Sequence, residues 1–433
     1  MKNLLIVSFY FPPIMSAASA RIGKFAKYLP EYGWNPVILT VNPKEILAKG
    51  IPVEMDEGRI YRTSYHDPVG LLSRPPDRPR THVNDSNPSQ KATWKRNFRE
   101  GLKKISPFTI QRMPDRMLGW YFYALKEARK ILERENIDAI FSSHPPPVSH
   151  LVASKIHKKS GLPWVADYRD LWAGSTLRPY PMWLERLERG FEKKILRKVS
   201  AIITVSESLR EYLVMLHQKP VEVIYNGFDP EDFEGFGDAE PPRKGVFTMV
   251  YSGTLYTSKQ SPIPFFRALK NLKEKGIISK DNFLARFIGV QEPPFREQVE
   301  KYGLTSLITS EPFQPYRKNV AVLKGASALL FFSWNKGQMK GNPTSKIFQY
   351  AGAARTILIV GDQNPFVADF VKKSRTGVVC KDEEQISRVL KRWLKEFFRD
   401  GDVEYKPDIS EIAPYNRKLQ AGALSVLLNR FVS

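Results

Sequence analysis

The chain has 433 residues, 42% of them apolar, a globular composition at a length that suits two domains of about 200 residues each. Its formal net charge of +22 points to anionic partners: nucleic acid, an anionic membrane surface or anionic substrates. The single cysteine, Cys380, excludes an internal disulfide and a zinc site built from several thiolates, and no apolar run approaches the ~18 residues of a spanning helix.

Leu4–Phe9 reads as a buried strand, broken at once by Phe11-Pro-Pro13. A loop of small residues, Ser16, Ala17 and Ala18, enters a helix with Ile22, Phe25 and Leu29 on one face. Gly33 closes it, and Val37–Val41 is the next strand. Strand, loop, helix and strand open a doubly wound sheet. Between His66 and Arg116 the pattern changes to a basic, partly irregular insertion. Arg74–Arg80 is Pro-rich and unsuited to regular structure. Over Lys91–Ile105, the residues Trp94, Phe98, Leu102 and Ile105 fall at helical spacing, among cations that include Lys95, Arg96 and Arg99. Such a helix either lies in the plane of an anionic membrane surface or packs on the core with a solvated charged face. Its six cations against the single Glu100 favour the membrane. No zinc-finger spacing, Arg-rich repeat or RNP-like aromatic motif appears, so nucleic acid is not an expected partner.

A long helix follows Pro114 and ends near Glu135. Asp138–Ser142 is a strand that stops at Ser143-His144-Pro145-Pro146, and a further helix leads to Val165-Ala-Asp167-Tyr-Arg169-Asp170-Leu-Trp172. His144, Asp167, Arg169 and Asp170 therefore sit at the C-terminal ends of predicted strands, where parallel sheets present ligand-binding groups. The alternatives are a loop histidine and a mutual ion-pair cluster. Tyr180–Val199 reads as a helix, Ala201–Val205 and Val221–Tyr225 as strands, and the acidic, Gly- and Pro-rich Pro230–Lys244 as a linker.

Val246–Gly253 starts a second series, and its loop carries Lys259. Later, the strand Ala328–Ser333 leads through a polar loop to a helix capped by Thr344 or Ser345, with Lys346 in its first turn, and then to the strand Thr356–Val360. This crossover places free backbone N–H groups at the C-terminal edge of a parallel sheet. A helix start there attracts a diphosphate, and Lys346 adds a full positive charge. Pro414–Phe431 reads as a final helix returning to the first domain.

Pro343-Thr-Ser-Lys346-Ile-Phe-Gln349-Tyr-Ala-Gly-Ala-Ala-Arg-Thr-Ile-Leu358 resembles the donor-binding helix of GT-B-fold glycosyltransferases, in particular glycosyltransferase family 4. The run from Pro114 to Trp172, with its Ser-His-Pro-Pro and Asp-Tyr-Arg-Asp-Leu-Trp segments, and Tyr225-Asn-Gly-Phe-Asp229 resemble further landmarks of that family. The resemblance implies an α/β protein of two Rossmann-like domains facing across a cleft: 1–229, a linker over 230–244, 245–411, and a C-terminal helix over 412–433. It implies transfer of a sugar from a nucleotide-diphosphate sugar to an acceptor hydroxyl, with retained anomeric configuration and without a metal or other cofactor. On this reading Lys259, Lys346, Thr344, Ser345 and Gly253 hold the donor diphosphate. Gln349 takes the place of the glutamate that binds the donor ribose, and Thr254 that of an arginine on the phosphates. Ser16, Ala17 and Ala18 replace the family's Gly-rich loop near the acceptor, while His144 and at least one of Asp167, Arg169 and Asp170 act on the acceptor side. The implied acceptor is a saccharide or lipid-linked hydroxyl in polysaccharide or glycolipid synthesis, at the cytoplasmic face of a membrane. A GT-B epimerase or hydrolase of nucleotide sugars is one alternative. The other is a non-catalytic, degenerate transferase, which the two lost charges at Gln349 and Thr254 allow.

Overall fold

Leu4–Val7 is apolar throughout and Val37–Val41 apolar except for Thr40, the pattern of strands covered on both faces. In the structure, a computed structural model, both are central strands of a parallel sheet. The structure describes residues 1–45, 50–66, 116–174, 182–235, 245–256, 260–334, 345–362 and 364–432. The expected interfacial helix over Lys91–Ile105 lies outside them. Among the described residues, no helix is long and apolar enough to cross a membrane.

The first sheet is built from β1 (Lys2–Val7), α1 (Ala17–Tyr28), β2 (Trp34–Val41), β3 (Ile60–Thr63), α2 (Tyr121–Arg134), β4 (Ala139–His144), α3 (Val148–Ser160), β5 (Trp164–Tyr168), α4 (Met182–Leu196), β6 (Ala201–Thr204), α5 (Glu207–His217) and β7 (Val221–Val223). Its order is β3-β2-β1-β4-β5-β6-β7, with Ile6 opposite both Ile38 and Phe141. The second comprises β8 (Phe247–Ser252), α6 (Ile263–Glu274), β9 (Phe283–Ile288), α7 (Pro293–Lys301), β10 (Ile308–Glu311), α8 (Tyr316–Lys324), β11 (Ala328–Phe332), α9 (Ser345–Gly352), β12 (Ile357–Val360), α10 (Pro365–Lys373), β13 (Gly377–Cys380) and α11 (Glu383–Asp400). Its order is β10-β9-β8-β11-β12-β13, again parallel. Strand order reverses between β1 and β4 in one sheet and between β8 and β11 in the other. The loops leaving these four strands flank the crevices where doubly wound sheets bind ligands.

Two boundaries differ from expectation. β2 begins at Trp34, which pairs with Lys2, and β4 runs on to His144 because Ser143 and His144 continue the ladder against Asp167 and Tyr168. His144 thus ends a strand, and Asp167 lies inside one.

After α11 the chain passes through α12 (Ile409–Ile412) into α13 (Arg417–Asn429). Ala421, Leu424 and Leu428 of α13 share a core with Leu4, Ile6 and Phe25. This second layer leaves α1 buried nearly all round, including its Arg21 and Lys24.

The outgoing crossing at Asn226–Asp229 and the returning one at Pro414–Arg417 lie side by side. Phe228 N–H donates to the Tyr415 carbonyl (2.9 Å) and Arg417 N–H to that of Phe228 (2.9 Å). A Cβ on Gly227 would stand 2.0 Å from the Tyr415 oxygen. Gly227→Ala is therefore expected to lower stability by ~1–3 kcal/mol in urea unfolding. Gly190→Ala, in mid-α4 where a Cβ meets nothing within 4 Å, should raise it by ~0.5–1 kcal/mol.

Candidate functional site

A cleft of about 540 Å³ opens between the two sheets. Its first wall is the loop after β1 and the start of α1, with Ser16, Ala17, Ala20 and Lys24. Gly227, Phe228, Asp229 and Asp232 form the hinge side. The second wall carries Ser252 and Gly253 at the end of β8, Phe313, Gln314 and Tyr316 after β10, and Ser345, Lys346 and Gln349 of α9.

The sequence candidates on these walls come together at the two switch points. Ser16 caps α1, its hydroxyl accepting from the Ser19 N–H (3.0 Å), and Ala17 lines the cleft beside it, whereas Ala18 is turned into the core. Gly253 has φ +113°, and a Cβ there would come within 3.1 Å of the Lys346 ammonium. The ammonium also lies 3.9 Å from the centre of the Tyr251 ring. Among the described residues no carboxylate pairs with Lys346, and burial pulls its ammonium down to about 7. Gln349 follows one turn later, its amide making no hydrogen bond among the described residues. Thr254 is exposed after β8, its carbonyl accepting from the Tyr251 hydroxyl (2.8 Å). Lys259 and Thr344 lie outside the described residues.

The four first-domain candidates cluster at the ends of β4 and β5, and none is among the residues lining the cavity. Asp167 is fully buried, accepting from Arg21 Nη2 (3.0 Å), Arg21 Nε (3.3 Å) and the Ser143 hydroxyl (2.7 Å). Arg169 donates from Nε to the Ser143 hydroxyl (3.1 Å) and from a terminal nitrogen to the Pro145 carbonyl, and so braces the turn after His144. Burial lowers its guanidinium to about 10, leaving it charged at neutral pH. Asp170 is half-buried beside it. His144 is buried among rings, stacked on Trp172 at 6.1 Å and tilted against Tyr168 at 5.5 Å.

Behind His144, the His150 Nδ1 meets the Ser142 hydroxyl (2.8 Å), which accepts from Trp164 Nε1 (2.7 Å). Burial holds the His150 ring well below its ordinary pKa, as a neutral imidazole.

Two groups escaped the sequence reading. Arg417, first residue of α13, lines the cleft at only 3% exposure. Its Nη1 donates to Gln420 Oε1 (3.1 Å), and no carboxylate lies within ion-pair distance among the described residues. Burial, with Arg21 nearby, lowers its guanidinium to about 9. The second is an ion-pair network at the hinge. Lys24 Nζ contacts Glu54 (2.5 Å), Asp229 (2.7 Å) and Asp232 (2.6 Å). Lys27 contacts Glu54 and Asp229, both at 3.0 Å. Tyr28 donates to Asp229 and Tyr316 to Asp232, each at 2.6 Å. Glu54, Asp229 and Asp232 approach closely enough to hold a cation, and the Lys24 ammonium serves all three. The available signal was the presence of Arg21 and Lys24 on the same helical turns as Ile22 and Phe25.

Two outcomes follow. A bound diphosphate favours the charged form of Lys346, so nucleotide-sugar affinity by calorimetry should be greatest near or below pH 7. It should fall by up to ~tenfold per pH unit above that, a dependence that Lys346→Met removes. Asp167→Asn leaves Arg21 as a buried charge without its carboxylate, and should destabilise the protein by ~3–5 kcal/mol in urea unfolding.

The Glycosyltransferase Family 4 model matches residues 94–232. No curated protein matches the chain by sequence. Sucrose-phosphate synthase from Thermosynechococcus elongatus superposes with a TM-score of 0.63 at 12% identity, covering 99% of both chains. Alr3699/HepE from Anabaena, in complex with UDP and glucose, gives 0.59 at 9% identity, covering 99% of this chain and 100% of that one. The α,α-trehalose 6-phosphate synthase from Burkholderia multivorans gives 0.57 at 12%, with 99% of each chain covered. The chain has the GT-B fold over its length, and the family it resembles, matched over residues 94–232, is glycosyltransferase family 4.

Proposed function

We propose that the protein transfers a sugar from a nucleotide-diphosphate sugar to an acceptor hydroxyl. The observation that carries this reading is Lys346, a cation without a carboxylate partner among the described residues, set against positive-φ Gly253 in the first turn of a helix at the switch point of the second sheet. As the bond from the sugar to the diphosphate breaks, its electron pair goes to the phosphate oxygen. Lys346 and the N–H groups at the start of α9 stabilise the charge that develops there. Ser345 lies at the same helix start, and Lys259 and Thr344 are proposed as further phosphate contacts. Gln349 is proposed to hold the ribose as a neutral amide, able to accept from one hydroxyl and donate to another.

The acceptor enters along the wall of Ser16 and Ala17. His144, with Arg169 and Asp170, is proposed to shape that side, and Asp167 to brace it through Arg21. The likeness to family 4 supports retained configuration, independence of a metal, and an acceptor in polysaccharide or glycolipid synthesis at the cytoplasmic face of a membrane. UDP-glucose belongs in a donor panel because a structural neighbour was crystallised with UDP and glucose.

The test is release of nucleoside diphosphate from a panel of nucleotide sugars, with and without saccharide and lipid extracts. Acceptor-dependent release is expected, reduced about tenfold or more in Lys346→Met, since a charge-assisted contact is worth ~1.5–3 kcal/mol. Turnover that ignores the acceptor would overturn transfer in favour of hydrolysis or epimerisation. Donor binding without turnover would overturn it in favour of a degenerate binding protein.

A further inference from the structure

The outer face of α4 is inverted relative to an ordinary solvated helix. Two of its three acids turn inward. Glu188 and Glu192 are buried, Glu192 accepting from the Tyr168 hydroxyl (2.8 Å) and the Ala173 N–H (3.0 Å), while Glu185 pairs with Arg189. What faces out is apolar: Met182 at 68% exposure, Trp183 at 50%, Leu187 at 63% and Phe191 at 43%. Trp183, Leu187 and Phe191 fall at i, i+4 and i+8, one stripe along the helix. The other exposed side chains of α4 are cations, Arg186, Lys193 and Lys194, and the helix is followed at once by exposed Arg197 and Lys198. Beside its C-terminal end, a basic depression of about 580 Å³ is lined by Lys193, Lys194 and Arg197 together with Lys219 beyond α5. Met215 of α5 is likewise apolar and 73% exposed.

We infer that α4 docks on an anionic phospholipid surface, its apolar stripe entering the interface and its basic depression seating headgroup phosphates. Charge complementarity selects an anionic occupant, and only a bilayer offers apolar interior to a stripe of Trp, Leu and Phe alongside that charge. A nucleic acid would satisfy the cations and leave the stripe in water. In a parallel sheet the helix after β5 starts at the C-terminal edge, so the Trp183 end lies on the same side as the cleft. Docking would present that edge to the membrane. The inference is independent of sugar transfer, since a protein without that activity would dock in the same way.

The test is co-sedimentation of the full chain with vesicles of phosphatidylcholine alone or mixed with phosphatidylglycerol, at low and high salt. Binding is expected to the mixed vesicles only, and to weaken with salt. Trp183→Ala/Leu187→Ala should weaken it about tenfold, and Lys194→Gln/Arg197→Gln should remove the preference for phosphatidylglycerol, both variants keeping the parent's unfolding midpoint and nucleotide affinity. Brominated acyl chains should quench fluorescence in the parent and less in Trp183→Phe. Undiminished binding by the Trp183/Leu187 variant would overturn the proposal. So would loss of binding in Trp94→Ala/Phe98→Ala with the α4 variants unaffected, equal binding to both vesicle types, or binding of RNA in preference to vesicles.

Discussion

Asp229 is the group on which the two halves of the molecule converge. Its carboxylate takes Lys24, Lys27 and the Tyr28 hydroxyl from α1, and it caps the short turn that follows. Burial pushes this carboxyl up, but the hydrogen bonds and charges of the two lysines and Tyr28 outweigh it and hold the group below its ordinary range. Lys24 carries the same connection to Asp232, which accepts from Tyr316 at the start of α8 in the second domain. One continuous set of charge-assisted contacts therefore runs from the first sheet through the hinge to the second. Removing one member leaves the others charged and desolvated, which costs far more than the pair contributes when intact.

This network also decides the charge of the cleft. Lys24 lines the cavity but is saturated by carboxylates, so it offers nothing to an anion. Lys346 and Arg417 line it without such partners among the described residues. Both are desolvated, both are more readily deprotonated than usual, and an entering anion relieves that strain on each. The positive character of the site thus comes from which cations lack a carboxylate among the described residues, not from how many it contains.

The ring cluster at the ends of β4 and β5, outside the cavity lining, is organised differently. The His144, His150, Tyr168 and Trp172 rings pack behind β4 and β5, with Glu192 accepting from Tyr168 and contacting His217 (3.2 Å). Phe191 of α4 meets Trp172 edge to face at 5.9 Å. The outer apolar stripe of α4 and the turn at His144 are therefore two ends of one aromatic stack.

Much of this was legible in the amino-acid order, because local periodicity and capping act over a few residues. Unbroken apolar runs marked the parallel strands. The start of α9 was readable as a helix from its Ser and Lys and from the strand on either side. The same local signals could not say which face of α1 would be covered. That depended on α13 arriving from nearly 400 residues away to pack on Ile22 and Phe25, and on Asp167 and Asp229 meeting Arg21 and Lys24. Nor could they say which carboxylate meets Arg21: Asp167 and Asp170 look alike in sequence, and only the tertiary structure brings Arg21 against the first. Arg417 and the inward acids of α4 belong to the same class. Sequence alone determined which residues could carry charge and where helices and strands would form. Which charges are neutralised, buried or left open to a ligand was decided by tertiary packing, because Coulomb and desolvation energies depend on distances between residues far apart in the chain.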